Sequence, residues 1–467
     1  MHVKIIASLG PSTREESVIE RLILLGVTGF RINFAHGDPG FWGELVKAVR
    51  RAEERVGRPV AIMGDLVGPS IRLGVLGEPV TLNPGDKASI ILAEQARGGK
   101  EAVIPLPLSR FFTEVEEGDI IVMDDGRVRL RVIEVAGDQV VVEALTPARI
   151  TSRKAIVVQG KELGLPAITE RDLEAIDFAI SNDFDYISLS YVRDAEDLRV
   201  LRKIVRDKGG EQAIAAKIET RSAVENLEQI VGEADLVVVA RGDLGMNYGL
   251  EEVPLLQERI IDEARRRGKP VVVATQVLES MVNSPTPTRA EVTDVYVAVS
   301  QGVDAIMLTG ETAVGRYPVE TIKWLRRILR RAEENIAVNR YPPQETRWAY
   351  ASSIVETAEV IGADAILVFS IGGSLPPRIA ASRPYVRTVI GTPSIHIARR
   401  LSILWRLDVL LVNAEGYEEG LARLEEELCK KGELSIGDTV VEAYRFNNEN
   451  RVIIKQILSC QSRAKSS

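Results

Sequence analysis

Short apolar runs, each followed by a stretch of helix length, recur along most of this chain. Their number constrains the fold more than any single motif does. Three runs come first, Val3–Ala7, Gly29–Phe34 and Pro59–Met63, with helical stretches at Arg14–Leu25 and Trp42–Val56 between them. Each run is rich in Val or Ile and bounded by Gly or Pro, as expected of strands buried in a parallel sheet. Five more follow a helix over Glu170–Ser181, for which Thr169 is the expected cap. They are Tyr186–Leu189, Ala213–Lys217, Leu236–Ala240, Val271–Ala274 and Ala305–Leu308, separated by charged helices at Asp194–Lys208, Ser222–Val231, Leu250–Arg267 and Arg289–Gln301. Eight strand-then-helix units predict an α/β protein of the (β/α)8 barrel type, a TIM barrel. A doubly wound open sheet is the alternative, but no GxGxxG turn follows the first strand.

Between the third and fourth units the rhythm breaks. From Pro69 to Gln159 the apolar runs crowd together and Pro-Gly-Asp, Gly-Asp and Asp-Gly turns divide them, which predicts a small antiparallel β-rich domain inserted after strand three. After a long helix, Pro318–Ala337, a Pro-containing joint at Tyr341–Thr346 leads into further alternating strands and helices, read as a separate C-terminal α/β domain. The expected division is therefore a barrel over 1–69 and 160–337, a β-barrel lid over 70–159 and a C-terminal domain over 338–467. The length of 467 residues agrees, since roughly 150 residues per domain suggests two to four.

Composition matters most for what it removes from the chemistry. The chain has three histidines and two cysteines, so neither a His-rich metal site nor a four-ligand Cys/His zinc cluster can be built. Catalysis must rest on carboxylates, Lys, Arg, hydroxyls, backbone amides or a hard cation. A net charge of -8 gives no case for nucleic acid or an anionic membrane. No apolar run is long enough to span a bilayer, and the first residues turn polar too soon for a signal peptide. Cys429 and Cys460 are far apart with no CxxC, which fits a reducing cytosol and a cytoplasmic protein. Richness in Arg, Glu, Val and Ile leans towards a thermophile.

Barrel enzymes place their chemistry where the strands end. Here those ends carry SLGPSTR, then Arg31, Asn33 and His36, then Asp65, then Ser190 and Arg193, then Lys217 and Glu219. The last three ends carry Arg241, Gly242 and Asp243, then Thr275 and Gln276, then Thr309, Gly310 and Glu311. All eight deliver polar groups. In AKIETRS, Lys217 and Glu219 share one face of a strand, and an ion pair capping the barrel is the plainer reading. VVVARGDLG adds Asp243 after a wholly apolar strand, and two carboxylates with substrate oxygens suit Mg²⁺ or Mn²⁺. A lysine beside that metal stabilises an enolate or a phosphoryl group in transfer. Gly242 opens the backbone towards a carboxylate, and Arg31 and Arg72 offer forked donors to phosphate. This describes a site for a small phosphorylated carboxylic acid without choosing phosphoryl transfer over carbon–carbon cleavage.

The segments KIIASLGPSTR, FRINFAHG, DLVGPSIRLG, AKIETRSAVENL, VVVARGDLGMNYGLEEVP, GKPVVVATQVLESM and PTPTRAEVTDVYVAVSQGVDAIMLTGETAVGRYP, with SRP in the last domain, resemble the pyruvate kinase family in order and spread. That resemblance implies a barrel, an inserted lid and a C-terminal domain, and transfer of a phosphoryl group from phosphoenolpyruvate to ADP, giving pyruvate and ATP. It implies Lys217 near the transferring group, Glu219 and Asp243 as Mg²⁺ ligands, and the Gly242 and Asp243 amides with the Thr275 hydroxyl around the substrate carboxylate. Thr275 also matches a residue implicated, through water, in protonating the enolate carbon. Arg31 matches the phosphate-binding arginine, with Ser190 among the substrate contacts. Asn33, His36, Arg72 and Lys154 match the nucleotide side, Lys154 reaching in from the lid. Arg241 is expected to support the site. Thr309 and Glu311 stand where the family has Ser-Gly-Glu, keeping a hydroxyl and a carboxylate. A homotetramer is also implied.

The sequence departs from the family in two places. The family's monovalent-cation site uses Asn and Ser from NFSHG and Asp and Thr from LDTKGPEIR; here the segments read NFAHG and GDLVGPSIR. Asn33 and Asp65 remain, but Ala35 and Leu66 remove two oxygens, and Ser70 replaces the Glu that accompanies potassium dependence. The expectation is that K⁺ is not required. In the last domain the loop FSIGGSLPP, with Ser370, Gly372, Gly373 and Ser374, is either a Gly-rich turn that holds phosphate before a helix or, the plainer reading, an ordinary strand–helix turn, and the final loop Arg445–Asn450 has no glycine. No activation by fructose bisphosphate is expected.

Other features get plainer readings. His36 is a phosphate-side positioning or loop-capping group, and His396 an exposed or interfacial helix residue. ARRLSILW, with Arg399, Arg400 and Trp405, is a basic helix face or a subunit contact, and RRILRRAEE a solvated helix face. Two other functions compete with the kinase: a Mg²⁺-dependent lyase or mutase of pyruvate-like acids, and a non-catalytic metabolite sensor. Neither needs a lid closing over ADP together with Lys217, Glu219 and Asp243.

Overall fold

The computed structural model describes residues 2–96, 102–124, 126–446 and 449–460. Eight parallel strands close into a barrel in the order β1-β8-β7-β6-β5-β4-β3-β2. They are β1 (Lys4–Ser8), β2 (Val27–Asn33), β3 (Ala61–Asp65), β4 (Tyr186–Leu189), β5 (Ala213–Ile218), β6 (Leu236–Ala240), β7 (Val271–Ala274) and β8 (Ala305–Leu308). All but β2 and β5 are buried at every position, because helices cover the outside and side chains fill the inside.

The covering helices start where short polar residues can cap them. In α2 (Pro39–Val56) the Asp38 carboxylate accepts from Phe41 N, Pro39 sits in the first turn, and Gly57 closes the helix in the left-handed region at φ 67. In α3 (Glu170–Ser181) Thr169 is the cap that the sequence suggested, and it forms a capping box with Asp172. Asp172 also accepts from Val67 N at 2.9 Å and Gly68 N at 3.2 Å, tying α3 to the point where the chain leaves β3 for the lid. The stretch Ser222–Val231 proves to be two short helices, Arg221–Glu225 and Leu227–Glu233. The chain between β6 and β7 carries an additional helix, α6 (Arg241–Tyr248), before α7 (Val253–Arg266), and α8 (Arg289–Gln301) follows β7.

The lid differs from the expected antiparallel barrel. Its main sheet has seven strands, with two two-stranded ribbons beside it, and two of its strand pairs run parallel. A short helix, Ser109–Glu114, packs Phe111 and Phe112 into its core. The lid touches the barrel through Val122 and Val157, which meet Met246 of α6.

In the C-terminal domain the strand order is β11-β10-β9-β12-β13, with β9 (Ala365–Phe369), β10 (Arg387–Thr392), β11 (Leu407–Leu411), β12 (Thr439–Phe446) and β13 (Glu449–Gln456). β12 and β13 form an antiparallel hairpin that absorbs most of the predicted loop Arg445–Asn450. Asn447 and Asn448 of that loop lie outside the described residues.

This domain covers the end of the barrel where the strands begin, opposite the catalytic end. Lys4, at the start of β1, donates to Leu407 O at 2.7 Å, and the Tyr186 hydroxyl donates to Arg400 O at 2.8 Å. Arg383 pairs with Asp304 at 2.7 Å, both 3% exposed, while its guanidinium lies over the Trp405 ring. Gly29 lies so close to Ile403 that a Cβ there would sit 2.8 Å from its methyl. A single hydrophobic cluster runs from the barrel into one face of this domain. The stretch Arg399–Trp405 is therefore an internal domain contact, with Arg399 on Glu53 of α2, and not a free basic face or subunit contact. His396 is exposed, and Arg330 pairs with Glu334 on a solvated face.

The two cysteines are not isolated. Cys429, in the helix Tyr417–Lys430, and Cys460, just past β13, form a disulfide with their Cα atoms 5.3 Å apart. Their sequence separation of 31 hid a proximity created when β13 returns alongside that helix.

Candidate active site

At the end of β5, Lys217 and Glu219 come together as their i and i+2 spacing implies. Lys217 Nζ lies 3.1 Å from Glu219 Oε2 and 3.9 Å from Asp65 Oδ1, and donates to the Ser190 hydroxyl at 2.9 Å. Burial pulls the lysine's pKa down, but Asp65, Glu219 and Asp243 outweigh it, and the ammonium is held above its ordinary value. Glu219 is fully buried. Burial, opposed by Lys217 and reinforced by Asp243, pushes its carboxyl upward. One of its oxygens accepts from Tyr191 N at 2.6 Å, while Oε2 makes no hydrogen bond within the chain.

Arg31, on β2, donates from Nε to Asp65 at 2.9 Å and from Nη1 to the Ser8 hydroxyl at 3.1 Å. Asp65 is buried, which alone would raise its pKa, but Lys217 and then Arg31 hold it below the usual carboxylate range. Arg31, Asp65, Ser188, Lys217, Thr275 and Thr309 line one small hollow at the mouth of the barrel.

The opposite wall comes from α6, which starts immediately after β6. Gly242 N donates to the Thr275 hydroxyl at 2.8 Å. Thr275 and Gln276 are both left-handed, at φ 68 and 51, a conformation costing about 1–3 kcal/mol for non-glycine residues. Buried Arg241 holds them there. Its guanidinium donates to Thr275 O and Gln276 O and is anchored by Asp294 of α8 at 2.6 Å. Glu311 fixes the other flank, accepting from Leu278 N at 3.0 Å and Thr309 N at 2.7 Å. Asn247 donates to the carbonyls of Glu219 and Asp243, stapling α6 to β5. Asn247, Tyr191 and Asp294 were missed in the sequence because their roles depend on contacts across units.

The nucleotide-side residues are more dispersed. Asn33 uses its side-chain oxygen to accept from Ala35 N at 3.0 Å. His36 is held below its ordinary pKa by burial and then by Arg72, Arg31 and Arg171, so it is neutral at pH 7. Arg72 is exposed on a lid strand and acts on the charge state of His36 and Tyr191 at the strand ends, and Lys154 pairs with Asp124 of the lid at 2.6 Å.

Two fixed cations thus face three carboxylates in a buried pocket. Glu219 Oε2, whose one close partner is the Lys217 ammonium, makes with nearby Asp243 a hard, oxygen-only donor set that fits Mg²⁺ or Mn²⁺. Among the described residues no group of three or more His, Cys, Asp or Glu is placed to hold a metal by protein ligands alone. Substrate oxygens and water must complete such a shell.

Comparison with known proteins agrees with this arrangement. The family model for the pyruvate kinase barrel domain matches residues 1–322, and that for the pyruvate kinase alpha/beta domain matches 349–448. A pyruvate kinase from Pyrobaculum aerophilum is 42% identical, covering 90% of this chain and 91% of its own. One from Aeropyrum pernix is 40% identical, covering 97% and 98%. The crystal structure of the Pyrobaculum aerophilum enzyme superposes with a TM-score of 0.85 at 39% identity, covering 98% of this chain and 99% of that one. A pyruvate kinase from Cryptosporidium parvum superposes with a TM-score of 0.90 at 31% identity, over 98% and 96%. On the strength of the barrel with its inserted lid, the Lys217–Glu219–Asp243 cluster and these relatives, the chain belongs to the pyruvate kinase family, a family of phosphotransferase enzymes.

Proposed function

We propose that this protein transfers the phosphoryl group of phosphoenolpyruvate to ADP, with the roles below for its own residues. The observation that carries the reading is the buried Lys217 ammonium, held protonated among Asp65, Glu219 and Asp243. The phosphate–enol oxygen bond breaks and a bond to a terminal oxygen of ADP forms. Charge develops on the enolate oxygen and the equatorial phosphoryl oxygens. Lys217 and Arg31 are the fixed positive groups for that charge. Glu219 and Asp243 hold Mg²⁺, which supplies Lewis-acid stabilisation of the substrate oxygens when bound.

The α6 turn and Thr275 receive the substrate carboxylate, and the Gly242–Thr275 hydrogen bond opens or is shared as it enters. Because the Thr275 oxygen accepts from Gly242 N, its own proton is directed elsewhere, which suits a route of proton delivery to the enolate carbon. Arg72 and Lys154 contact nucleotide phosphate once the lid closes and Lys154 exchanges Asp124 for ADP. No observation favours the lyase or the sensor.

Potassium is not required in this reading. Ala35 and Leu66 offer no side-chain oxygen, Asn33 is committed to Ala35 N, and Asp65 is already neutralised by Arg31 and Lys217. The assembly is a homotetramer, for which exposed Tyr296 and Val297 on α8 and Val452, Ile453 and Ile454 on β13 supply apolar contact area. The working compartment is the cytoplasm. Among the described residues no helix is long and apolar enough to cross a membrane.

The test is ATP formation over a Mg²⁺ titration, with KCl exchanged against another chloride salt at fixed ionic strength. Expected are strict Mg²⁺ dependence and a KCl effect under twofold. A tenfold rise with KCl would overturn the potassium reading, and turnover without divalent metal would overturn the roles of Glu219 and Asp243.

A further inference from the structure

Tyr191, in the turn that follows β4, makes contacts in two directions. Its backbone is left-handed, at φ 56, which costs a non-glycine residue about 1–3 kcal/mol. Its N–H donates to Glu219 Oε1 at 2.6 Å, while Lys217 faces Oε2 at 3.1 Å. Glu219 is fully buried, so these two contacts decide how its carboxylate is turned.

The side chain of Tyr191 lies at the root of the lid. It borders a hollow of about 60 Å³ together with Pro69 and Ile71, on the limb leaving the barrel, and with Val158, Leu163 and Leu165, on the limb returning to it. The outgoing limb also fits closely against the turn itself. Gly68 is left-handed, at φ 63, and a Cβ there would lie 3.0 Å from Ser190 O and 3.1 Å from the Tyr191 ring. The Ser190 hydroxyl donates to Leu66 O at 2.8 Å, and Asp172 holds Val67 N and Gly68 N from the other side. Burial, then Asp243 and Glu219, push the pKa of the Tyr191 hydroxyl well up against the pull of Ser70 and Arg72, so the phenol stays protonated.

A continuous series of contacts therefore joins both limbs of the lid to one oxygen of Glu219. A strained turn keeps its shape only while its surroundings impose it, and here the limbs are part of those surroundings. We infer that Tyr191 is a positioning residue that ties the stance of the lid to the orientation of Glu219, its ring packed at the lid root and its N–H on the carboxylate. This rests on Glu219 as a Mg²⁺ ligand, as proposed above. By linkage, a divalent ion held by Glu219 must in turn restrain the limbs.

Hydrogen exchange read by mass spectrometry, with and without Mn²⁺ as the only addition, tests this at residues 67–72 and 156–165. Electron paramagnetic resonance gives the Mn²⁺ affinity and shows that each sample is saturated. The full-length protein is compared with Tyr191→Gly, Tyr191→Phe and Glu219→Gln. Glycine keeps the N–H and accepts the left-handed turn but has no ring. Expected in the wild type is slowing of exchange in both limbs by about fivefold or more, the lower end of ordinary coupling. Tyr191→Gly should bind Mn²⁺ and lose that slowing, and Tyr191→Phe should keep it. Mn²⁺ bound as tightly by Glu219→Gln as by the wild type overturns the metal reading and the inference with it. With Mn²⁺ affinity dependent on Glu219, limbs unaffected by the ion, or slowed equally in Tyr191→Gly, overturn the inference alone. Should Tyr191→Gly not fold, Gly68→Ala serves instead. Its Cβ displaces the Tyr191 turn, and Mn²⁺ affinity is expected to fall about fivefold although residue 68 offers the ion no side-chain ligand; an unchanged affinity overturns the inference.

Discussion

Lys217 illustrates what a single residue contributes and what it depends on. Two cations, Lys217 and Arg31, face Asp65, Glu219 and Asp243, so the pocket keeps one uncompensated negative charge for a divalent ion to neutralise. Lys217→Met removes the charge nearest the developing enolate and is expected to lower kcat by about 10²–10³-fold, measured by steady-state kinetics, with folding checked by circular dichroism. Arg241 acts at one remove. Arg241→Lys keeps a charge but loses the fork that grips Thr275 O and Gln276 O. Relaxation of that left-handed pair is expected to lower kcat about 10–100-fold while the KM for phosphoenolpyruvate moves less. An unchanged kcat would remove Arg241 from the positioning role. The carboxylates and Lys217 were legible because strand ends of a barrel announce themselves by a polar residue after an apolar run. Asn247, Tyr191 and Asp294 look unremarkable in their own segments and acquire meaning only from a neighbouring unit.

Among the elements, the junction of β3, α3 and the lid is held by one side chain that accepts four hydrogen bonds. Asp172, fully buried, serves the Thr169 cap and also accepts from Val67 N and Gly68 N where the lid departs. Asp172→Ala orphans these donors, at about 1.5–3 kcal/mol for hydrogen bonds to a charged group. The expected outcome is a lower Tm and faster proteolysis near Pro69, read by calorimetry and limited digestion; an unchanged digestion pattern would contradict it. The Thr169 cap was readable because its rule is local, while the part Asp172 plays in it was not read. The lid's parallel pairs were not, since nothing in a short alternating strand states which neighbour it pairs with. Helix α6 was hidden for another reason: RGDLGMNY has two glycines and no amphipathic stripe, and it is held by contacts to β5 and the lid.

Across the whole molecule, the strand count foresaw the barrel, but not how thoroughly the C-terminal domain is fused to it. The separate domain that was expected is present with its own sheet, and its Trp405, Ile403 and Trp348 also join the barrel's hydrophobic cluster, with Arg383 and Asp304 paired inside the junction. Asp304→Asn leaves Arg383 buried without its charge partner and is expected to destabilise by about 3–5 kcal/mol, seen as a lower unfolding midpoint in denaturant. The disulfide was likewise invisible in sequence, because 31 residues separate its ends. Closing a loop of that length is worth about 3–4 kcal/mol in the chain-entropy account, so Cys460→Ser is expected to lower Tm. Non-reducing peptide mapping should recover Cys429 linked to Cys460.

All three scales converge on phosphoryl transfer at the mouth of the barrel, and the most direct measurement is of the transfer itself. Purified protein is mixed with phosphoenolpyruvate, ADP and Mg²⁺ in potassium-free buffer, and ATP and pyruvate are quantified together, with Lys217→Met run in parallel. Equimolar ATP and pyruvate are expected from the wild-type protein, and at least a hundredfold less from the variant. Pyruvate without ATP, or full turnover by Lys217→Met, would contradict it.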